Sequence, residues 1–133
     1  MRKYVYPAVF SPDEEGGYCV YFPDLPVGAT QGEDLVDCMD AAELFLADAM
    51  CFIEEEKMDI PKPSAMVDIE VNEGDITTFI SVDTMEYRRK YENKAVKKTL
   101  TLPAWLNTAA ETAKINFSQT LQKALKEELQ ITD

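Results

Sequence analysis

The chain has 133 residues, 46% of them apolar or aromatic, enough for the core of one ordinary domain or two small ones; wholesale disorder is excluded. With 25 Asp and Glu against 13 Lys and Arg its formal net charge is −12, an acidity that would repel nucleic acid and attract a basic protein wherever along the chain it is concentrated. There is no histidine, and Cys19, Cys38 and Cys51 are widely spaced, which argues against a zinc site and for small buried thiols in a reducing compartment. Arg2-Lys3 leads into Tyr4-Val5-Tyr6-Pro7 with no long apolar run, so neither a signal peptide nor a membrane span is expected. A cytoplasmic protein with no membrane partner, cofactor or metal is the expectation.

In chain order, Lys3 to Phe10 reads as a strand and Ser11 to Gly17 as a turn, with its two glycines supplying positive φ. Tyr18 to Phe22 completes a hairpin. After Pro23-Asp24-Leu25-Pro26 a short third strand is expected near Val27 to Thr30. From there the period changes. Leu35, Met39, Ala42, Leu46, Ala49 and Ile53 recur in steps of three and four, the stripe of a long amphipathic helix. Asp34 is its expected N-cap, Asp37 opposes the helix dipole, and the end should fray through Glu54-Glu55-Glu56. Met66 to Val71 alternates as a strand, Asn72 to Asp75 as a turn, and Thr77 to Val82 as a further strand. Residues 85–95 are charged and poor in apolar side chains, which suits a linker or a short surface helix.

The charge divides with these elements. Residues 1–84 hold 4 Lys and Arg against 19 Asp and Glu, a net of −15, whereas residues 85–133 hold 9 against 6, a net of +3. Three units follow from this reading: 1–84 as an acidic domain, 85–95 as linker, and 96–133 as a mildly basic module compatible with a phosphate backbone.

That module opens on Val96 to Pro103. Val96, Leu100 and Leu102 lie on one parity, with Lys97, Thr99 and Thr101 on the other, so a strand with one buried face is expected. Lys98 falls on the inward parity, where its stem would snorkel. Pro103 suits the first position of a helix with its apolar face at Leu106, Ala109, Ala110 and Ala113. Asn116 can close that helix in the left-handed conformation. Ser118 can then cap a second helix striped by Phe117, Leu121, Ala124, Leu125 and Leu129. A single strand leaves both its edges unpaired, so the module needs a second copy of itself, strand against strand, over four helices. Dimerisation would put Lys97, Thr99 and Thr101 of both chains on one face of a two-stranded ribbon that fits a DNA major groove. The alternative is that the lysines only keep an edge strand soluble.

"KKTLTLP" and "INFSQTLQKAL" resemble the ribbon-helix-helix family of DNA-binding proteins. The resemblance implies that Lys97, Thr99 and Thr101 read bases and that the amides of Ser118, Gln119 and Thr120 hold a phosphate of operator double-stranded DNA. Asn116 stands where that family usually has glycine, and Gln119 where a basic residue is common, which weakens the implied phosphate contact.

The stretch from Tyr4 to Met50, with its hairpin, Phe22-Pro23-Asp24-Leu25-Pro26 turn, Thr30-Gln31-Gly32 and alanine-containing helix, resembles the N-terminal domain of HicB-type antitoxins, over about residues 4–82. The fold class implied is α+β: a partial ribonuclease-H-like domain of antiparallel strands and one long helix, without catalysis, then a ribbon-helix-helix dimerisation module. The resemblance further implies an antitoxin of a type II toxin–antitoxin system that neutralises a HicA-like toxin, a small basic mRNA-cleaving protein. It would also be a repressor of its own operon, assembled as a homodimer, with a tetramer left open. The expected toxin contacts are Asp13, Glu14 and Glu15 on the hairpin tip with Tyr21 and Asp24 near the next turn, where acid meets aromatic surface. An ordinary solvated turn beside a core tyrosine is the competing reading.

Two other classes remain in view. Ribonuclease H chemistry needs clustered carboxylates for two metal ions, which singles out Asp13, Asp24, Asp34, Asp37 and Asp40. Asp34 and Asp37 are already explained by the helix start, and neither a histidine base nor an activated cysteine is available, so no enzyme is expected. A stand-alone ribbon-helix-helix regulator with a ligand- or protein-binding first domain is the other alternative.

Overall fold

A computed structural model describes residues 2–26 and 28–132. The chain divides after Lys94 into two compact units.

The first unit is a four-stranded antiparallel sheet of order β3-β2-β1-β4, built from β1 (Lys3–Pro12), β2 (Tyr18–Tyr21), β3 (Thr30–Gly32) and β4 (Ile76–Asp83). It carries α1 (Leu35–Glu55) and α2 (Thr84–Tyr91). β1 pairs with β4 from Lys3↔Asp83 to Phe10↔Ile76 and with β2 from Val9↔Tyr21 to Pro12↔Tyr18. The hairpin turn is closed by the Asp13 amide donating to the Gly17 carbonyl at 3.0 Å, with Gly16 and Gly17 at φ of 98° and 73°. The third strand forms at Thr30–Gly32, slightly later than its sequence position suggested, and Val27 lies outside the described residues.

Alternation along β1 sends Tyr4, Tyr6, Ala8 and Phe10 to one face. There they meet Val20, Phe22 and Ile80 from the neighbouring strands and the buried stripe of α1. That stripe is Cys38, Ala42, Leu46, Met50 and Ile53; it shares Ala42, Leu46 and Ile53 with the expected one, whose Ala49 also packs against the core, but it turns Leu35, 49% exposed, and Met39 outward. The shift has a local cause. Gly32 has no side chain, and Cys38 fills the space, its amide and Sγ each 2.7 Å from where a Cβ would stand. Gly32→Ala must therefore displace either β3 or the first turn of α1. A loss of about 1–3 kcal/mol of stability is expected, measurable as a lower urea midpoint at unchanged m-value.

Asp34 caps α1 as expected, accepting the Asp37 amide at 2.8 Å, while the Asp37 carboxylate accepts the Glu33 amide at 2.9 Å. The other end does not fray. Lys57 adopts φ 53°, its amide bonds to Glu54 and that of Met58 reaches back to Ile53, which closes the helix with a left-handed residue. The same closure recurs at Lys114 and Gln130 in the second unit.

Two further expectations are corrected. Residues 66–71 form no strand: Met66–Asp68 is a 3-10 turn, the Asp68 amide bonding to Ala65, and Val67 is 90% exposed. Period-two alternation over three apolar residues placed them on no buried face, so nothing recruited them to the sheet. Of the two forms expected for residues 85–95, the short helix is the one found, over residues 84–91, and this helix, α2, belongs to the first unit and is not a linker between units. Asp83 caps this helix by accepting the Met85 and Glu86 amides, a start signal that the charged composition masked.

The second unit, Ala95–Asp133, holds α3 (Ala104–Thr112) and α4 (Phe117–Glu128). Residues 92–103 have no strand partner, and strand pairing requires one. Pro103 is the N-cap of α3, its carbonyl accepting the Leu106 and Asn107 amides. Lys114, not Asn116, takes the left-handed conformation, at φ 56°. Asn116 is extended and caps α4, its side chain accepting the Gln119 amide at 3.1 Å, so Ser118 is a helical residue and not the cap.

Candidate functional site

The expected contact residues of the first unit fall into two groups. Asp13, Glu14 and Glu15 are exposed on the hairpin tip, where Asp13 also accepts the Glu15 amide at 3.1 Å. Tyr21 lies along β2 with its side chain half-buried; burial and the Asp75 charge push its hydroxyl pKa up. Asp24 is engaged within the unit, accepting both the amide and the hydroxyl of Ser64, and so fixes the return of the chain from α1. Asp34 and Asp37 serve the helix start, and among the described residues no group of three potential metal ligands converges.

A polar cluster that sequence reasoning missed sits where α1, α2 and β1 meet. The Glu54 carboxylate accepts the Tyr4 hydroxyl at 2.6 Å, the Thr84 hydroxyl at 3.0 Å and Arg88 Nη1 at 2.6 Å. Arg88 also reaches Glu55 at 3.4 Å and Glu92 at 3.7 Å. Burial alone would raise the Glu54 pKa, but the hydrogen bonds from Tyr4, Arg88 and Thr84 and the guanidinium charge outweigh it and leave it lowered. Tyr4 is pushed far up by burial and by its bond to that carboxylate, and burial raises the Cys51 thiol to about 11. The thiols of Cys38 and Cys51 are buried and unreactive by position.

In the second unit Lys97, Thr99 and Thr101 are exposed on an extended segment. Lys98, Leu100 and Leu102 instead line a hollow of ≈ 440 Å³ with Phe117, Leu121 and Ala124. The parity read from sequence is thus the parity of the chain. Among the described residues none of 95–132 is buried, and Leu100, Leu106, Phe117 and Leu125 all leave apolar surface to solvent. Two of the three expected phosphate-holding amides are occupied: Gln119 bonds to the Asn116 side chain and Thr120 to the Asn116 carbonyl. The first two helical amides, of Phe117 and Ser118, have no acceptor among the described residues.

A four-stranded sheet backed by one long helix, with a short helix tied to it by a charged cluster, makes an acidic α+β unit, and a small helical unit follows it in the chain. Residues 5–84 match the model of the HicB-like antitoxins of bacterial toxin–antitoxin systems, and the chain belongs to that family, whose antitoxins are not enzymes. It is 43% identical over 61 residues to Antitoxin HicB of Escherichia coli K12, a match covering 46% of this chain and 44% of that one. Antitoxin HicB 1 of Photorhabdus laumondii is 37% identical over 65 residues, covering 47% and 42%. The chain therefore spans less than half the length of these relatives. Among solved structures, a toxin–antitoxin complex from Streptococcus pneumoniae aligns over 95% of this chain and 99% of that one, at 27% identity and a TM-score of 0.61. The Burkholderia pseudomallei antitoxin HicB shares the fold at 19% identity and a TM-score of 0.53, covering 95% and 98%. Among the described residues no helix is long and apolar enough to cross a membrane.

Proposed function

We propose that this chain neutralises a HicA-like basic, mRNA-cleaving toxin through its first unit and represses its own operon through a dimeric ribbon-helix-helix module built by the second. The observation that carries the DNA-binding half is that none of the described residues of the second unit is buried, with an exposed apolar stripe on α4 and a hollow behind the Lys98, Leu100, Leu102 parity. A second copy, pairing Val96–Leu102 antiparallel, would cover that surface and give the extended segment its ladder. Lys97, Thr99 and Thr101 would then face the major groove from both chains. The phosphate contact moves one step earlier than the sequence implied, to the amides of Phe117 and Ser118 at the start of α4.

The toxin-binding half is supported by the acidity of the first unit and by the relative from Streptococcus pneumoniae being a toxin–antitoxin complex. The sheet order with its single long helix agrees with a partial ribonuclease-H-like domain. Cytoplasmic action follows from the proposed targets, operator DNA and a messenger-cleaving enzyme. The test is a search for an adjacent reading frame that encodes a short basic protein, co-expression of this chain with that protein, and titration of the DNA upstream of the pair. Relief of growth arrest and a specific shift are expected. A chain that binds the DNA but neither relieves arrest nor co-purifies with a basic protein would be a stand-alone regulator.

A further inference from the structure

We propose that the toxin docks in the groove between α1 and α2, not on the hairpin tip; this deepens the antitoxin reading and rests on it. The groove measures ≈ 590 Å³, and Phe52, Met58 and Tyr91 line it. These side chains are 52%, 47% and 56% exposed, large apolar groups that the unit leaves to solvent. The floor is firm: Phe45 stacks on the buried Phe22 ring, centroids 5.9 Å apart and planes at 4°. Asp48, Glu55 and Glu92 stand in the same wall.

Charge defines the occupant. Arg88 is the cation shared by Glu54, Glu55 and Glu92, and Asp48 accepts the Tyr87 hydroxyl at 3.1 Å. Three carboxylates, Asp48, Glu55 and Glu92, line the groove with no lysine or arginine among its described lining residues, which leaves it negative. Beyond the tilted Tyr87–Tyr91 pair a second hollow adds Asp40, Glu43 and the exposed Leu44. Lys90 already holds its ammonium 5.3 Å from the Tyr91 ring centroid, so that ring accepts a cation on one face. A partner segment of Arg or Lys side chains fits both requirements, with apolar stems on Phe52 and Met58 and charged heads at the carboxylates. The hollow beside the hairpin tip is lined by Asp13, Glu15, Glu33 and Asp37, and its one aromatic, Tyr18, packs against the core, so it offers charge without a large exposed apolar group. Protein interfaces draw most of their energy from buried aromatic and arginine anchors, which favours the groove.

The test is calorimetry of the 133-residue chain against a HicA-like basic toxin, with Phe52→Ala, Asp48→Lys, their double, and Glu14→Lys with Glu15→Lys as the comparison. Asp48→Lys and Phe52→Ala each change exposed surface and leave the core intact, and unaltered thermal melting and DNA binding would establish that the variants fold. The double variant should lose about 30-fold or more in toxin affinity, corresponding to a central anchor, and show a weaker salt dependence. The hairpin variant should stay within about threefold of the parent. Unchanged affinity in the groove variants with loss in the hairpin variant would overturn the proposal and leave the antitoxin reading standing. A changed oligomeric state without a change in toxin affinity would overturn it in favour of a second copy in the groove. A parent chain that binds no toxin would remove the antitoxin reading itself.

Discussion

Replacing Lys97 and Thr99 together with alanine is expected to reduce operator affinity to the level of non-specific DNA while leaving the dimer assembled. Both side chains are exposed and lie off the parity of Leu100 and Leu102, which with Phe117 and Leu121 line the hollow a second copy would cover. Each substitution occurs twice in a dimer, so four base contacts disappear. At the lower end of about 1–3 kcal/mol for a good base contact the sum is about 4 kcal/mol, a thousandfold loss of discrimination. Removal of two lysine charges should also flatten the salt dependence, the slope of log K against log salt falling by about 2. Lys98→Ala is the contrast: its side chain lines the hollow, so specificity should persist while self-association weakens. Titration of operator and scrambled DNA at one fixed salt concentration, with sedimentation equilibrium for the dimer, distinguishes the outcomes. An unchanged ratio of operator to scrambled affinity in the double variant would sink the base-reading assignment.

The parity of the Lys97 segment was legible in the sequence because it depends only on neighbours along the chain. The same holds for the hairpin, whose alternating strands flank Gly16 and Gly17, and for the Asp34 cap, whose bond spans three residues. What escaped depends on distant partners. Residues 66–71 alternate as well as many strands do, but the sheet formed without them, through the full-length pairing of β1 with β4. Cys38 outranks Leu35 and Met39 for burial because Gly32, on another element, leaves room for it.

The candidate sites divide in the same way. Acidity was visible, but which carboxylates the fold itself engages was not, because Asp24 answers Ser64 40 residues away. α2 read as a linker or a short surface helix since seven of the eight residues of Thr84–Tyr91 are charged or carry a hydroxyl; its role comes from Arg88 meeting α1. At the start of α4 two capping residues, Asn116 and Ser118, compete within one turn. Closure of α3 at Lys114 leaves Asn116 in the extended conformation a cap requires, and this choice decides which amides stay free.

Glu54→Ala is expected to destabilise the first unit by about 2–4 kcal/mol, below the full cost of breaking a buried ion pair because Arg88 keeps Glu55, Glu92 and the Cys51 carbonyl as partners. The substitution leaves the Tyr4 hydroxyl without its carboxylate and loosens the attachment of α2, whose first residue, Thr84, is buried against the same group. For a unit of this size the loss corresponds to a fall of roughly 10–20 °C in Tm. Arg88→Ala should cost less, and the double variant should fall short of the sum, since the two residues share one interaction. The effect has a defined pH dependence. The Glu54 carboxyl is lowered from its usual 4.5, so its contribution is complete above that value and disappears as pH falls through the lower folded-state value. The stability gap between the parent and Glu54→Gln should therefore stay level from neutral pH to about 5 and close below it. Thermal melts followed by tyrosine circular dichroism report on this unit. The single tryptophan, Trp105, lies in the second unit and serves as an internal control. A gap that persists unchanged at pH 3, or a Glu54→Ala melt indistinguishable from the parent, would remove this cluster as the anchor of α2.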